Sequence, residues 1–262
     1  MNRDAANAAH VELRSVKLSF GARPVFEDLS CVVPRGRITV MMGGSGAGKS
    51  TILRMIGGLQ RPDSGVVEVA GTPIQDLDER RLAEVRRHLG MLFQNGALLD
   101  SMSVFDNIAL PLREHTSLSA QEIRRAVEER LDAVGLDGVG GLLPRQLSGG
   151  MLRRAALARA IVEDPEIVLC DEPFSGLDPP NVERIEGLLR RLNRERGLTV
   201  IVTSHHMASS LRMSDQIVLL RDGRALSGHP RELASSGDDR ISEFLGADGR
   251  AYLSSLDAAE TA

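Results

Sequence analysis

The segment from Gly43 to Ser50 reads GGSGAGKS and fits the pattern G-x-x-x-x-G-K-[ST]. The apolar run Ile38 to Met42 before it predicts a short buried strand, and Lys49 to Ile56 after it predicts a helix. Glycines let backbone N–H groups curl around an anion, and the start of a helix directs the positive end of its dipole to the same point. The sequence therefore predicts a strand, a loop and a helix arranged to bind phosphate.

The presence of a lysine in this loop supports a functional role, because lysine is rare in the chain. Of the 32 basic residues, only Lys17 and Lys49 are lysines. Lys49 would reach the β- and γ-phosphates of a nucleotide, and the Ser50 hydroxyl would ligate Mg²⁺. The alternative is a flexible glycine-rich turn without a ligand, which the flanking strand and helix disfavour. The expected phosphate-binding residues are Gly43, Gly44, Ser45, Gly46, Ala47, Gly48, Lys49, Ser50 and Thr51.

Apolar runs separated by helical patterns predict an α/β fold. The alternation in Val11 to Phe20 predicts a half-buried strand that opens the fold, next to another antiparallel strand. Between residues 96 and 164 helical periodicity replaces the strand signals, which predicts a helical subdomain. The first ten residues are expected to be flexible, residues 11–246 to form one domain, and residues 247–262 to form a tail that could contact another subunit. The further strand candidates are Val66–Val69, Met91–Phe93, Ile167–Cys170, Thr199–Thr203 and Ile217–Leu220.

Composition narrows the range of partners. The net charge of -4 disfavours a nucleic-acid-binding surface. No apolar run approaches the roughly 20 residues needed to cross a bilayer, and the N-terminus lacks the apolar core of a signal peptide, so we expect the chain to stay in the cytoplasm. Cys31 and Cys170 show no metal-ligand spacing and are expected to be reduced, buried thiols.

Two carboxylates follow the apolar run Ile167 to Cys170. In α/β folds the carboxyl edge of the sheet is where ligands bind, so Asp171 and Glu172 are expected beside the phosphate loop. Asp171 would hold Mg²⁺, and Glu172 would act as general base toward the attacking water. Acidic residues at a strand end are common. Asp171 and Glu172 therefore indicate a nucleotide-hydrolysing site only together with the phosphate loop.

Leu147, Ser148, Gly149 and Gly150 open a further predicted helix. Ser148 could be a simple N-cap. A second helix start with bare backbone N–H groups is also a second anion site, which one chain does not need but two facing copies do. Ser148 of one copy would then close over the γ-phosphate held by the loop of the other copy.

Together these segments resemble the ATP-binding cassette (ABC) family over nearly the whole chain. The resemblance implies a P-loop NTPase of the ABC type, with a RecA-like core, an antiparallel β subdomain and a helical signature subdomain, that hydrolyses ATP with Mg²⁺. It also implies the role of an ATPase coupled to transport that works as a homodimer. The implied roles are adenine stacking for Phe20, sensing of Mg²⁺ and the lytic water for Gln94, contact with the opposite copy for Asp178, and a grip on the γ-phosphate for His205.

Two positions depart from the family pattern. The signature ends in Met151 where glutamine is usual, and His206 stands where aspartate is usual. Either His205 or His206 could make the phosphate contact, and we take His205 because it follows Ser204 as the pattern expects. On sequence grounds alone, Phe20 would be a core residue.

A narrower resemblance rests on the stretch from Met91 to His115 and on the arginine- and alanine-rich run after Met151. It is similar to the ATPases of maintenance of lipid asymmetry systems. The implied partners are a transmembrane permease gripped near Leu98, Leu99 and Phe105, an MCE lipid-binding protein and a small STAS-domain protein, and the cargo is phospholipid. The implied location is the cytoplasmic face of the inner membrane of a Gram-negative bacterium. The alternatives are another apolar cargo (lipoprotein, steroid or organic solvent) or a non-transport ABC ATPase.

Overall fold

The computed structural model describes residues 9–235 and the single positions 238, 241 and 246. In chain order the strands are β1 (Ala9–Phe20), β2 (Arg23–Pro34), β3 (Ile38–Gly43), β4 (Ser64–Val69), β5 (Thr72–Pro73), β6 (Leu89–Leu92), β7 (Ile167–Asp171), β8 (Thr199–Thr203), β9 (Gln216–Arg221) and β10 (Arg224–Gly228). The α-helices are α1 (Lys49–Ile56), α2 (Glu79–Arg86), α3 (Val104–His115), α4 (Ala120–Ala133), α5 (Gly149–Ala160), α6 (Pro179–Arg196), α7 (Met207–Met213) and α8 (Pro230–Ser235).

A six-stranded sheet with the order β10-β9-β3-β8-β7-β6 forms the centre of the fold. Its strands are parallel except β10, which pairs antiparallel with β9. Alternate residues of β3 enter two separate cores, since Val40 and Met42 pack with one cluster and Met41 with the other. Helices and the second sheet thus cover both faces, which explains why the strand reads as a continuous apolar run. This arrangement confirms the predicted α/β fold.

The smaller sheet is antiparallel and has the order β2-β1-β4-β5. In β1 the buried apolar residues are Val11 and Leu13, then Val16 and Leu18, so the alternation shifts by one residue in the middle of the strand. Ser15 sits at the shift with φ 47° and the register with β2 is broken there. A β-bulge restores the same buried face after the extra residue. The opening antiparallel strands predicted from the sequence are confirmed.

The helices α3, α4 and α5 pack together between β6 and β7 of the chain. Ser119 starts α4 with a capping box, because its side chain accepts from Glu122 N and the Glu122 carboxylate accepts from Ser119 N. Helix α5 ends at Ala160, and the Ile161 carbonyl after it accepts a hydrogen bond from Arg130 Nε at 3.1 Å. No described helix is both long enough and apolar enough to span a bilayer.

Both cysteines are free and buried, as predicted. Burial raises the pKa of the Cys31 thiol to about 12. Burial also raises the pKa of Cys170, and the Asp171 charge adds to that effect. Both side chains therefore act as neutral apolar residues in the core.

The N-terminal strand begins earlier than expected. It starts at Ala9, and His10 is 2% exposed, so residues 9 and 10 are not part of a flexible stretch. His10 Nδ1 lies 2.7 Å from Thr199 Oγ1, and His10 Nε2 lies 3.3 Å from Glu166 Oε2. The rest of the predicted flexible N-terminus, residues 1–8, and the predicted tail, residues 247–262, lie outside the described residues.

We expect the fold to lose stability as the pH falls through the histidine range, in part because of His10. Burial lowers the pKa of His10, the Arg35 charge acts in the same direction, and the Glu166 carboxylate opposes both. The unfolded chain therefore binds a proton at a pH where the folded chain does not, so stability is present above about pH 6.5 and declines below it. The melting temperature should fall between about pH 7.5 and pH 5.5, and less so in His10→Asn.

The matched control is His115→Asn. His115 also contacts a glutamate, with Nδ1 3.0 Å from Glu163 Oε1, but its side chain is 47% exposed and it does not contact His10 or Glu166. This variant should keep the pH dependence of the wild type. Equal slopes of melting temperature against pH in the wild type and His10→Asn would contradict the assignment.

Candidate functional site

A cleft of about 790 Å³ opens where strands β3, β7, β8 and β9 end. Its volume lies in the range of small-molecule sites, roughly 300–1,000 Å³. The carboxyl ends of parallel strands meet at this edge of the sheet, so residues far apart in sequence are brought together. The predicted site residues that line it are Phe20, Gly44, Ser45, Gly46, Ala47, Gly48, Lys49, Ser50, Thr51, Gln94, Glu172 and His205.

The loop between β3 and α1 has the shape that its glycines predict. Gly48 has φ 92°, and a methyl group at this position would overlap the Phe26 ring. Only glycine fits both the conformation and the space. Helix α1 starts at Lys49 without a side-chain cap and without an acidic residue in its first turn. Its N-terminal end is therefore suited to a bound anion.

Lys49 is 7% exposed and lies inside this loop. Its Nζ donates hydrogen bonds to the carbonyls of Gly43 at 2.9 Å and Gly44 at 3.1 Å. Burial lowers the pKa of Lys49, and the charges of Glu172 and Asp171 oppose that effect. Gly43 thus belongs to the site through its carbonyl group, although it does not line the cleft.

Asp171, at the end of β7, lies directly behind the loop. Its Oδ1 accepts hydrogen bonds from Ser50 Oγ at 2.9 Å and from Thr203 Oγ1 at 2.7 Å. Thr203, at the end of β8, was not predicted as a site residue from the sequence. Its position could have indicated this role, because β8 lies between β3 and β7 and ends at the same edge of the sheet.

The oxygen donors at this point fit Mg²⁺. Mg²⁺ is usually held by one or two carboxylates together with waters and substrate phosphates. Ser50 and Asp171 supply one hydroxyl and one carboxylate within hydrogen-bond distance of each other. The described residues contain no cluster of three or more His, Cys, Asp or Glu side chains that could hold a metal ion without such a substrate. Gln94 is exposed and also lines the cleft.

Glu172 has a strained backbone and a buried carboxylate. Its φ is 47°, and its N–H is fixed by Thr203 Oγ1 at 2.9 Å. Non-glycine residues held in this region concentrate at functional sites. The residue is 8% exposed, and Oε1 lies 3.0 Å from His205 Nε2 without a well-directed hydrogen bond. Burial raises the pKa of Glu172, and the nearby His205 and Lys49 charges oppose that rise.

The two adjacent histidines point to different surroundings. His205 lines the cleft beside Glu172. His206 is the N-cap residue of α7, and its ring meets the Phe174 ring edge-on with 6.0 Å between centroids. Of the two candidates for the phosphate contact, the structure therefore brings His205 to the cleft.

Phe20 is 52% exposed and lines the cleft. The prediction from the sequence alone that Phe20 is a core residue is therefore wrong. An exposed aromatic face next to a phosphate-binding loop can stack on a flat ring of the same ligand.

The signature segment lies away from the cleft of its own chain. Ser148 caps α5, with Oγ accepting from Met151 N at 3.3 Å, which bears out its role as an N-cap. Ser148 and Gly149 are exposed, whereas Gly150 is buried so closely against Asn181 that a methyl group would overlap it. Asp178 caps α6 by accepting from Asn181 N at 3.0 Å. The two helix starts thus form one surface, and Ser148, Gly149, Gly150 and Asp178 do not line the cleft.

Comparisons with known proteins show which family the chain resembles. Residues 26–175 match the family model described as ABC transporter. The chain is 44% identical over 236 residues to the intermembrane phospholipid transport system ATP-binding protein MlaF of Haemophilus influenzae, which covers 90% of this chain and 89% of that protein. The protein of the same name from Escherichia coli K12 is 44% identical over 246 residues, with 94% and 91% covered. A dimeric post-hydrolysis structure of the ATP-binding cassette MJ0796 bound to ADP and Pi is similar with a TM-score of 0.78 and 33% identity, covering 84% of this chain and 98% of that one.

Proposed function

The chain belongs to the ABC transporter family, and on this premise we propose that it is the ATP-hydrolysing subunit of a transporter that moves phospholipids between the inner and outer membranes of a Gram-negative bacterium. The observation that carries the ATPase activity is one cleft that holds Lys49, Glu172 and His205 with Asp171 directly behind. The phospholipid cargo is supported by the 44% identity to the MlaF proteins over nearly the full length of both chains.

In the proposed site each residue acts on a different part of ATP. The ring of Phe20 stacks on the adenine, and the loop N–H groups with Lys49 bind the β- and γ-phosphates. Ser50, Asp171 and Gln94 would hold Mg²⁺, which supplies charge neutralisation at the phosphates when bound. Glu172 accepts a proton from the water that attacks the γ-phosphorus.

His205 contacts the γ-phosphate and keeps Glu172 oriented toward the water. The 3.0 Å separation between His205 Nε2 and Glu172 Oε1 supports this pairing. Attack of the water breaks the bond between the γ-phosphorus and the bridging oxygen, and ADP and phosphate leave.

Two copies complete the two sites. In each site, the loop of one copy faces Ser148, Gly149 and Gly150 of the other, and Asp178 contacts the opposite copy. The exposed helix start at Ser148, away from its own cleft, supports this arrangement, as does the dimeric state of the related MJ0796 cassette. ATP closes the dimer, and hydrolysis allows it to open.

The motion passes to a permease through the proposed helical subdomain, residues 96–164 of a domain that covers residues 11–246. Leu99 is 44% exposed and Phe93 37% exposed, and Leu98 and Phe105 are partly buried, so these apolar side chains are the proposed contact with the permease. An MCE lipid-binding protein and a STAS-domain protein complete the proposed complex at the cytoplasmic face of the inner membrane.

Purification of the tagged chain from its native membrane in mild detergent tests the proposed function. We expect a permease, an MCE protein and phospholipid to co-purify, as identified by mass spectrometry. A preparation with the tag alone, carried through the same steps, sets the background. Recovery of a permease with a different apolar cargo would overturn the phospholipid assignment, and recovery without any permease would overturn the transporter role.

A further inference from the structure

Arg153, in the second turn of α5, is a buried cation that has no acidic partner among the described residues. It is 8% exposed, and burial alone lowers its pKa. Within the described part of the chain it forms no ion pair, and its hydrogen bonds are to two backbone carbonyls. A buried charge without a counter-charge is unfavourable unless its hydrogen bonds serve a specific arrangement.

The two carbonyls belong to the two loops that carry the proposed reaction. Arg153 donates to the Phe93 carbonyl at 3.3 Å, directly before Gln94. It also donates to the Ser175 carbonyl at 3.4 Å. Ser175 lines the cleft, and its N–H donates to the Glu172 carbonyl at 3.2 Å. One guanidinium group therefore joins the Gln94 loop to the turn that follows Glu172.

A second arginine of the same helix holds the other end of the Gln94 loop. Arg159 donates to the carbonyls of Gly96 at 3.0 Å and Ala97 at 2.7 Å. The loop is thus attached to α5 on both sides of Gln94. Of these two arginines, only Arg153 also reaches Ser175.

We infer that Arg153 is a positioning residue that fixes Gln94 relative to Glu172 through the carbonyls of Phe93 and Ser175. Ser148 caps the N-terminus of α5, so a second copy that binds this helix start would act, through Arg153, on the Gln94 loop and the turn after Glu172 of the chain that carries α5. This inference rests on the proposed ATPase function. Arg153 does not itself line the cleft, so it would act on the reaction only by holding Gln94 and Glu172 in place.

The test compares Arg153→Met with Arg154→Met in the assembled transporter. Arg154 is the next residue of the same helix and also donates to backbone carbonyls, those of Val134 at 3.0 Å and Gly135 at 2.6 Å. Neither carbonyl belongs to a loop of the cleft. Loss of positioning should lower kcat on the order of ten- to a hundredfold in Arg153→Met. The KM for MgATP should change little, since the Lys49 loop is untouched, and Arg154→Met should keep the kcat of the wild type.

The variant Arg153→Lys distinguishes an effect on the positions of the two loops from an effect on the stability of the fold. Lysine keeps the charge but cannot span two carbonyls as a planar fork does, so kcat should lie between the values of wild type and Arg153→Met. Melting temperatures of all variants show whether kcat follows stability. Equal losses of kcat and melting temperature in Arg153→Met and Arg154→Met would reduce Arg153 to a structural role, and unchanged kcat in Arg153→Met and Arg153→Lys would overturn the inference. Absence of ATP hydrolysis by the wild-type complex would instead overturn the proposed function.

Discussion

Replacing Glu172 with glutamine is expected to lower ATP hydrolysis on the order of 10²-fold or more while ATP binding stays intact. Glutamine keeps the size of the side chain but cannot accept a proton from water. Lys49, which binds phosphate, contacts the carbonyls of Gly43 and Gly44, and Ser50, which would hold Mg²⁺, contacts Asp171, so these hydrogen bonds do not involve Glu172. Phosphate release at saturating MgATP measures hydrolysis, and the dissociation constant of the Mg²⁺ complex of ATP measures binding.

The surroundings of Glu172 support its role as the general base. Burial raises the pKa of its carboxyl group, which makes the carboxylate a better base than an exposed glutamate. Glu183→Gln is the control, since it removes an exposed carboxylate on α6 without touching the cleft. Turnover near the wild-type value in Glu172→Gln would remove Glu172 from the role of base.

The parts of the fold that could be predicted are those encoded in local patterns. The β3 strand, the glycine loop and α1 follow one another within 20 residues, and each is specified by its own apolar run or glycine spacing. Strand β8 was predicted with its observed bounds, Thr199–Thr203, because a strand buried on both faces reads as an uninterrupted apolar run. The position of Glu172 at the edge of the sheet could be predicted for the same reason, because Glu172 directly follows the apolar strand β7.

The parts that could not be predicted depend on contacts between distant residues. His10 is buried because Thr199, 189 residues away, and Glu166 give its ring nitrogens polar contacts. The burial of Arg153 depends on carbonyls 60 and 22 residues away in sequence. The apolar character of Phe20 predicts burial, but Phe20 is exposed because the end of its strand lies beside the cleft. Residue type and periodicity carry no information on such pairings.

Replacing Ser148 with arginine is expected to lower hydrolysis in the assembled transporter on the order of 10²-fold, because a bulky side chain would block the helix start from the γ-phosphate. The cleft of the same chain does not contain Ser148, so ATP binding to the isolated subunit should be unchanged. Ser117→Arg is the control, since it adds the same charge at another exposed serine. Hydrolysis at the wild-type rate in Ser148→Arg would contradict the shared site.

Mixed dimers decide which copy supplies Ser148. A dimer with Ser148→Arg in one copy and Lys49→Ala in the other retains one intact site if the sites are shared, because the intact loop of the first copy faces the intact Ser148 of the second. It retains none if each copy holds a complete site. A dimer with both changes in one copy gives the reverse result. We therefore expect ATPase activity from the first pairing, up to about half that of the wild type, and almost none from the second, since loss of the loop lysine or of the helix-start donors removes the stabilisation of the transferred phosphate. The opposite order of activities would show that each copy hydrolyses ATP on its own.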